Sequence, residues 1–249
     1  MKNLIKNNLK YLIFLAVFGI VGGYFTSIYS VQSLSPEMLE EALAEIGSID
    51  LLIVITTAQS LIYALIFGIL GKILATKIGL WRKITFEKNG ILEVIITSLA
   101  GGVLLIYLDI FLFNNYSDVI RASYEVKPSI EYIIASLTYG AVVEEVMLRL
   151  FLMSLVSIIV QKTKHKDEMD DKCLIIANVI SAILFASGHL PATAMSIGLT
   201  PIILCRCFLL NGGIGLLFGR LYRKYGIHYA MLAHGGVHII SKLILLIIT

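Results

Sequence analysis

Long apolar segments recur along this chain, and they constrain its fold more than any other feature. Each is close to the roughly 20 residues that an α-helix needs to cross a bilayer. The sequence is 58% hydrophobic and 15% charged, whereas soluble domains carry about 25% charged residues, so lipid is the natural solvent for much of its surface. The sequence predicts an all-α fold, a polytopic transmembrane helix bundle of about seven spans. The predicted spans are residues 11–30, 51–75, 91–113, 130–160, 173–190, 196–219 and 229–248.

The loops between these spans alternate in charge. The loops after the second, fourth and sixth spans contain the clustered Lys and Arg residues. In the loop after the first span, all the charged residues are acidic. Because cytoplasmic loops carry the excess of Lys and Arg, this pattern predicts a multi-pass membrane protein with a cytoplasmic N-terminus. The Ile- and Lys-rich composition indicates a bacterial cell membrane. The first span follows Lys2, Lys6 and Lys10 as in a signal peptide, but its length and the lack of a clear cleavage site favour an uncleaved span.

Other features of the sequence add smaller constraints. Residues 36–47 have the pattern of a short amphipathic helix outside the membrane, capped by Ser35 and ended by Gly47. No internal repeat is evident, and we predict one transmembrane domain over residues 1–249. No Lys/Arg-rich run is interleaved with aromatic residues, so nucleic-acid binding has no support.

Ionisable side chains interrupt four of the apolar spans. A charge at the middle of a bilayer costs about 2.5–3.5 kcal/mol on the most lenient scale, so such residues persist where they are paired or functional. Arg206 has a simple structural interpretation, the neutralisation of a carboxylate. The other candidates are Glu144, Glu145 and Arg149 in the fourth span, His189 at the end of the fifth, and His234 and His238 in the seventh.

Helical spacing predicts how some of these residues pair. Glu145 and Arg149 are four residues apart and share a helix face, which favours an ion pair. Glu144 is rotated by about 100° from that face and is left to face another partner. At about 1.5 Å per residue, Glu144 and His189 lie at matching depths, so the two are candidates for one site.

A carboxylate and histidines on neighbouring helices can hydrolyse a peptide bond without a covalent intermediate. Glu144 would serve as general base, and the imidazoles of His234 and His238, which share a face, would donate hydrogen bonds to a developing oxyanion. Alternatively, Glu144, His189 and His234 would be the three protein ligands of a catalytic Zn²⁺. The sequence leaves both arrangements open.

Three motifs carry a resemblance to a known family. Glu-Glu-x-x-x-Arg at 144–149, Phe-x-x-x-His at 185–189 and the histidines at 234–238 resemble the motifs of the intramembrane glutamic endopeptidases that include type II CAAX prenyl proteases, bacteriocin-processing enzymes and lysostaphin-resistance-like proteins (the CPBP or Abi family). The resemblance covers about residues 130–245 and implies a CAAX-protease-like catalytic core there.

The resemblance implies an activity and a role for each motif residue. It implies an intramembrane endopeptidase whose site opens toward the cytosol and whose substrate is a membrane-embedded or membrane-tethered peptide or protein. By similarity, Glu144 and His189 would activate the water, with Glu145 and Arg149 in support.

The third motif departs from the family pattern. By similarity His234 and residue 238 would stabilise the oxyanion, but the family usually has Asn or Asp where this chain has His238. A neutral imidazole can donate one hydrogen bond as an amide does, and the change could equally mark altered specificity, metal binding or lost activity. Two other interpretations stay open: a non-catalytic membrane scaffold or bacteriocin self-immunity protein of the same fold, and a proton-coupled transporter.

Overall fold

A computed structural model describes residues 2–249, with the side chains of residues 8–249. It is 85% helical, and the described residues form no strand, which confirms the predicted all-α class. One short 3₁₀-helix, Phe113–Tyr116, follows the fourth α-helix. The α-helices are α1 (Lys2–Gln32), α2 (Pro36–Ile46), α3 (Ile49–Lys77), α4 (Lys88–Phe111), α5 (Asp118–Ser123), α6 (Ile130–Ala135), α7 (Ser154–Thr163), α8 (Asp171–Gly188), α9 (Leu190–Ser196), α10 (Pro201–Cys207), α11 (Ile214–Tyr225) and α12 (Ile227–Ile248). The π-helical segments are π1 (Ser136–Glu144), π2 (Val146–Met153) and π3 (Phe208–Gly213).

The membrane spans follow the predicted pattern. Among the described residues, six helical stretches are long and apolar enough to cross a bilayer. The predicted span at 130–160 is a continuous helical run from α6 through π1 and π2 to α7, and it carries three charged residues, Glu144, Glu145 and Arg149, near its middle. Together they agree with a multi-pass bundle of about seven spans. The six stretches are Asn8–Gln32, Ile49–Lys77, Lys88–Tyr116, Asp171–Ser196, Pro201–Tyr225 and Ile227–Ile248.

Apolar side chains cover the outside of this bundle. Val54 and Ile73 on α3 are 61% and 60% exposed, and Ile96 on α4 is 56% exposed. Soluble monomers rarely expose contiguous apolar surface on this scale, so the outer faces of these helices suit contact with lipid.

The run that contains π1 and π2 lies in the middle of the bundle. Helices α1 and α12 pack against π1, and α3, α8 and α11 pack against π2. Two glycines permit close approach of neighbouring helices. A Cβ added at Gly22 would lie 2.9 Å from the backbone N of Tyr139, and a Cβ added at Gly71 would lie 2.9 Å from the carbonyl carbon of Leu150. Small residues at helix contacts are typical of membrane bundles. The helix that holds the first motif is therefore enclosed on several sides.

The basic loops meet at one end of the molecule. The Arg82 guanidinium donates to the backbone carbonyl of Arg223 at 3.2 Å, and Arg223 in turn pairs with Asp171 at 2.7 Å. Glu93, near the start of α4, pairs with Arg220 at 2.6 Å. These contacts join the loops after the second, fourth and sixth spans, which the alternating charge pattern requires to lie on the same side of the membrane.

Two local predictions are confirmed by the structure. The Ser35 hydroxyl accepts a hydrogen bond from the backbone N–H of Met38 at the start of α2, and Gly47 ends the helix with φ +98°. Arg206 neutralises a carboxylate, since its guanidinium donates to both oxygens of Asp109 at 2.6 and 2.5 Å. This pair links the end of α4 to α10.

Candidate active site

A buried ion pair and a histidine form the centre of the polar cluster. Nη1 of Arg149 lies 3.0 Å from Oε1 of Glu145, as the spacing of four residues predicts, and Nδ1 of His234 is 2.8 Å from the same oxygen. Exposure is 0% for Glu145, 2% for Arg149 and 5% for His234. The contact brings the first motif, in π1 and π2, together with the third motif, in α12.

Arg149 is held by more than its carboxylate partner. Its Nη2 donates to the backbone carbonyl of Gly215 in α11 at 3.0 Å. The guanidinium carbon lies 4.7 Å from the ring centroid of Phe185 and 5.5 Å from that of Phe218, both within the range of cation–π attraction. Arg149 thus ties π2 to α8 and α11, and Phe185 connects it with the second motif.

The two histidines of the third motif stack on one face of α12. Their ring centroids are 4.9 Å apart at an interplanar angle of 27°, and Phe218 stacks on the far side of His234 at 4.5 Å. A Cβ added at Gly140 would lie 3.3 Å from Nε2 of His238 and 3.9 Å from Nε2 of His234. Both Nε2 atoms therefore point toward the same glycine of π1.

His189 follows the last turn of α8 and is oriented by its own helix. Its Nδ1 is 2.9 Å from the backbone carbonyl of Phe185. The Phe185 ring packs edge-on against His189 at 4.6 Å, and its centroid is 6.3 Å from that of His234. Phe185 is thus the side chain that bridges the second and third motifs.

Glu144 differs from its neighbour Glu145. It is half-buried, and among the described residues its carboxylate forms no hydrogen bond or ion pair. Arg149 forms its ion pair with Glu145 and not with Glu144, as the helical spacing predicts. No described hydrogen bond joins Glu144 to His189, so their shared site stays a prediction.

Wide helical turns bring the two glutamates to the face that the histidines meet. In a π-helix the hydrogen bonds run from residue i to residue i+5, and such turns often occur at functional sites. Glu144 and Glu145, four and five positions after Gly140, therefore lie on either side of the helix face that Gly140 occupies.

Sequence reasoning did not predict the π-helical turns or the roles of Gly140, Gly215 and Phe218. The third motif has a further neighbour, Lys242, which the spacing 234, 238, 242 could have revealed.

The proposed zinc ligands do not form a metal site in this arrangement. Among the described residues, no three His, Cys, Asp or Glu side chains come together as a group that could hold a metal ion. The Nδ1 contacts of His234 and His189 leave Nε2 free in both rings, but no described contact brings these atoms together with the Glu144 carboxylate. The set of Glu144, His189 and His234 therefore does not fit Zn²⁺ here, and we derive no chemistry through a metal.

Comparison with known proteins gives one match. Residues 127–240 match the model of a family described as type II CAAX prenyl endopeptidase Rce1-like. The matched segment contains all seven motif residues, from Glu144 to His238. Neither the search of curated proteins nor that of solved structures finds a match.

Proposed function

Because residues 127–240 belong to the Rce1-like family of type II CAAX prenyl endopeptidases, we propose that this chain is an intramembrane endopeptidase that hydrolyses a peptide bond in a membrane-associated peptide or protein. The observation that carries the proposal is the contact of Glu145 with both Arg149 and His234, which joins two of the family's motifs in a membrane interior.

The motif residues divide into a buried set and a more accessible set. Glu145, Arg149 and His234 are almost fully enclosed, whereas Glu144, His189 and His238 are each half-buried. A fully buried ion pair suits a supporting role, and groups that act on a substrate must remain reachable. This division favours chemistry at Glu144 and His189, with Glu145 and Arg149 as their support.

In the proposed reaction Glu144 and His189 activate a water molecule. A backbone carbonyl can only accept a hydrogen bond, so Nδ1 of His189 carries the proton that it donates to Phe185. In the neutral ring Nε2 then has a free lone pair, which can orient the water while the Glu144 carboxylate takes its proton. The water oxygen attacks the peptide carbonyl carbon, the C–N bond breaks, and the proton held by Glu144 passes to the leaving amine.

The developing oxyanion needs hydrogen-bond donors. The histidines of the third motif are the candidates, because the Nε2 atoms of His234 and His238 point to the same place beside Gly140. Preorganised donors in a dry site stabilise such a charge strongly, and the loss of one donor costs about 10²–10³-fold in kcat.

The substrate class is proposed from the setting of the site. The motif residues lie on helices that pack within an apolar bundle, so the scissile bond must reach them from the membrane or from its surface. A peptide anchored by a transmembrane helix or by a lipid meets this requirement. We propose a bacterial cell membrane and a cytoplasmic N-terminus, on the basis of composition and of the basic loops.

A cleavage assay on the purified full-length protein tests this function. The protein, reconstituted in lipid vesicles, is mixed with peptides tethered by a transmembrane segment, by an acyl chain or by a prenyl chain, and the products are identified by mass spectrometry. We expect an internal cut in at least one class, and no loss of cleavage when a zinc chelator is added. Binding of a tethered peptide without cleavage in any class would favour the non-catalytic scaffold instead.

A further inference from the structure

A buried lysine lies beside the third motif. Lys242 is 5% exposed and follows His238 by one helical turn, on the face of α12 that also carries His234. Among the described residues no carboxylate pairs with it. Its Nζ lies 3.4 Å from Nδ1 of His238 and 4.0 Å from the ring centroid of Tyr132. A buried charge is costly unless it is compensated, so the contact with His238 needs an explanation.

The lysine determines which nitrogen of His238 can carry a proton. A lysine ammonium group has three donors and no acceptor. While Lys242 is charged, the nitrogen that faces it must therefore accept, so Nδ1 of His238 holds a lone pair. In the neutral ring the proton is then on Nε2, the atom that points toward Gly140.

The other two imidazoles of the site have the opposite arrangement. His234 faces the carboxylate of Glu145 and His189 faces a backbone carbonyl, and both partners are acceptors. In each of these rings the proton is on Nδ1, and Nε2 holds the lone pair in the neutral form. Of the three motif histidines, His238 is the one that offers an N–H to a substrate through Nε2.

We propose that Lys242 is a positioning residue that holds His238 in its Nε2–H tautomer, so that His238 is the imidazole donor to the oxyanion and His234 is an acceptor. The assignment of tautomers depends on the contacts alone, whereas its catalytic meaning rests on the proposed endopeptidase function. It reduces the two candidate oxyanion donors of the third motif to one, His238, and gives His234 a different role beside Glu145.

Nitrogen NMR of the full-length protein labelled with ¹⁵N-histidine tests the tautomer directly. A His238→Gln variant identifies the signals of His238, and Lys242→Met is compared with Lys242→Arg. We expect Nε2–H in the wild type and in Lys242→Arg, and a shift toward Nδ1–H in Lys242→Met. An Nδ1–H tautomer in the wild type, or an unchanged spectrum in Lys242→Met, would overturn the proposal. This readout does not require activity, so it separates failure of the tautomer assignment from failure of the proposed function.

Kinetics test the catalytic meaning, with folding checked by size-exclusion chromatography and thermal unfolding. We expect Lys242→Met to lower kcat about 10- to 100-fold, less than the roughly 10²–10³-fold loss of a whole donor, with KM unchanged and with rescue by Lys242→Arg. In a His238→Gln background the amide donates without the lysine, so Lys242→Met should have no further effect on kcat. An equal loss in both backgrounds would assign Lys242 a merely structural role and overturn its positioning role.

Discussion

At the scale of single residues, Glu145 is the most constrained side chain of the site. Its Oε1 contacts both Arg149 and His234, while Oε2 is buried and has no hydrogen-bond partner among the described residues. Removing one member of a buried ion pair leaves the other charge uncompensated, which costs more than removing both. Arg149 is therefore expected to matter for stability as well as for activity.

We predict that Arg149→Met lowers the free energy of unfolding by about 3–5 kcal/mol, because it leaves the Glu145 carboxylate buried without its cation. Equilibrium unfolding of the purified protein in mixed micelles measures the change. The double variant Arg149→Met with Glu145→Gln is the control, since it removes both charges and should recover much of the loss. A double variant as unstable as Arg149→Met would contradict this explanation.

The sequence predicted the charged residues in the middle of spans and missed those near span ends. Glu145 and Arg149 are conspicuous because a mid-membrane charge is expensive, and helical spacing then gave their pairing. Asp109 and Lys242 lie close to the ends of α4 and α12, where charged side chains normally reach the interface at little cost. Their burial depends on distant parts of the chain, although the spacing 234, 238, 242 does place Lys242 on the face of the third motif.

At the scale of helices, the run through π1 and π2 was predicted as a span but not as a π-helix. A segment that is apolar on almost every side gives the same hydrophobic pattern for α-helical and π-helical turns, so periodicity could not distinguish them. The close packing of α3 against π2 likewise depends on Gly71 and the backbone of Leu150, two positions far apart in the sequence. The membrane nature of these helices was predictable, and their contacts were not.

We predict that Gly71→Ala destabilises the protein, because the added Cβ would lie 2.9 Å from backbone atoms of Leu150 and Phe151. Gly213→Ala is the matched control, since nothing lies within 4 Å of an added Cβ there and alanine gains roughly 0.5–1 kcal/mol over glycine inside a helix. The thermal unfolding midpoints of the two variants should move in opposite directions. A Gly71→Ala protein at least as stable as the wild type would contradict the close packing of α3 against π2 at this position.

At the scale of the whole molecule, the loop charges predicted an arrangement that the ion pairs support. The basic loops after the second, fourth and sixth spans meet at one end through Arg82, Arg223 and Glu93. Composition and charge pattern sufficed for this, because the membrane restricts spanning segments to few arrangements. The predicted division, one domain with a catalytic core at 130–245, stays a prediction.

We predict that Lys83→Cys and Lys166→Cys react with a membrane-impermeant thiol reagent from the cytoplasmic side, and that Glu40→Cys reacts only from the opposite side. The three native cysteines are first replaced by serine, because Cys205 is exposed. Labelling of intact cells and of inverted vesicles distinguishes the two sides. Labelling of all three positions from one side would contradict the topology.

The most direct test of the proposed endopeptidase is the cleavage rate of Glu144→Gln, a change of one carboxylate to its amide in the half-buried residue of the first motif. The control is Glu40→Gln, the same change on the exposed surface of α2. We predict that Glu144→Gln inserts normally and loses about 10²–10⁴-fold in kcat, the usual contribution of a general base, while Glu40→Gln cleaves at the wild-type rate. Cleavage by Glu144→Gln at the wild-type rate would contradict the role of Glu144 and the mechanism built on it.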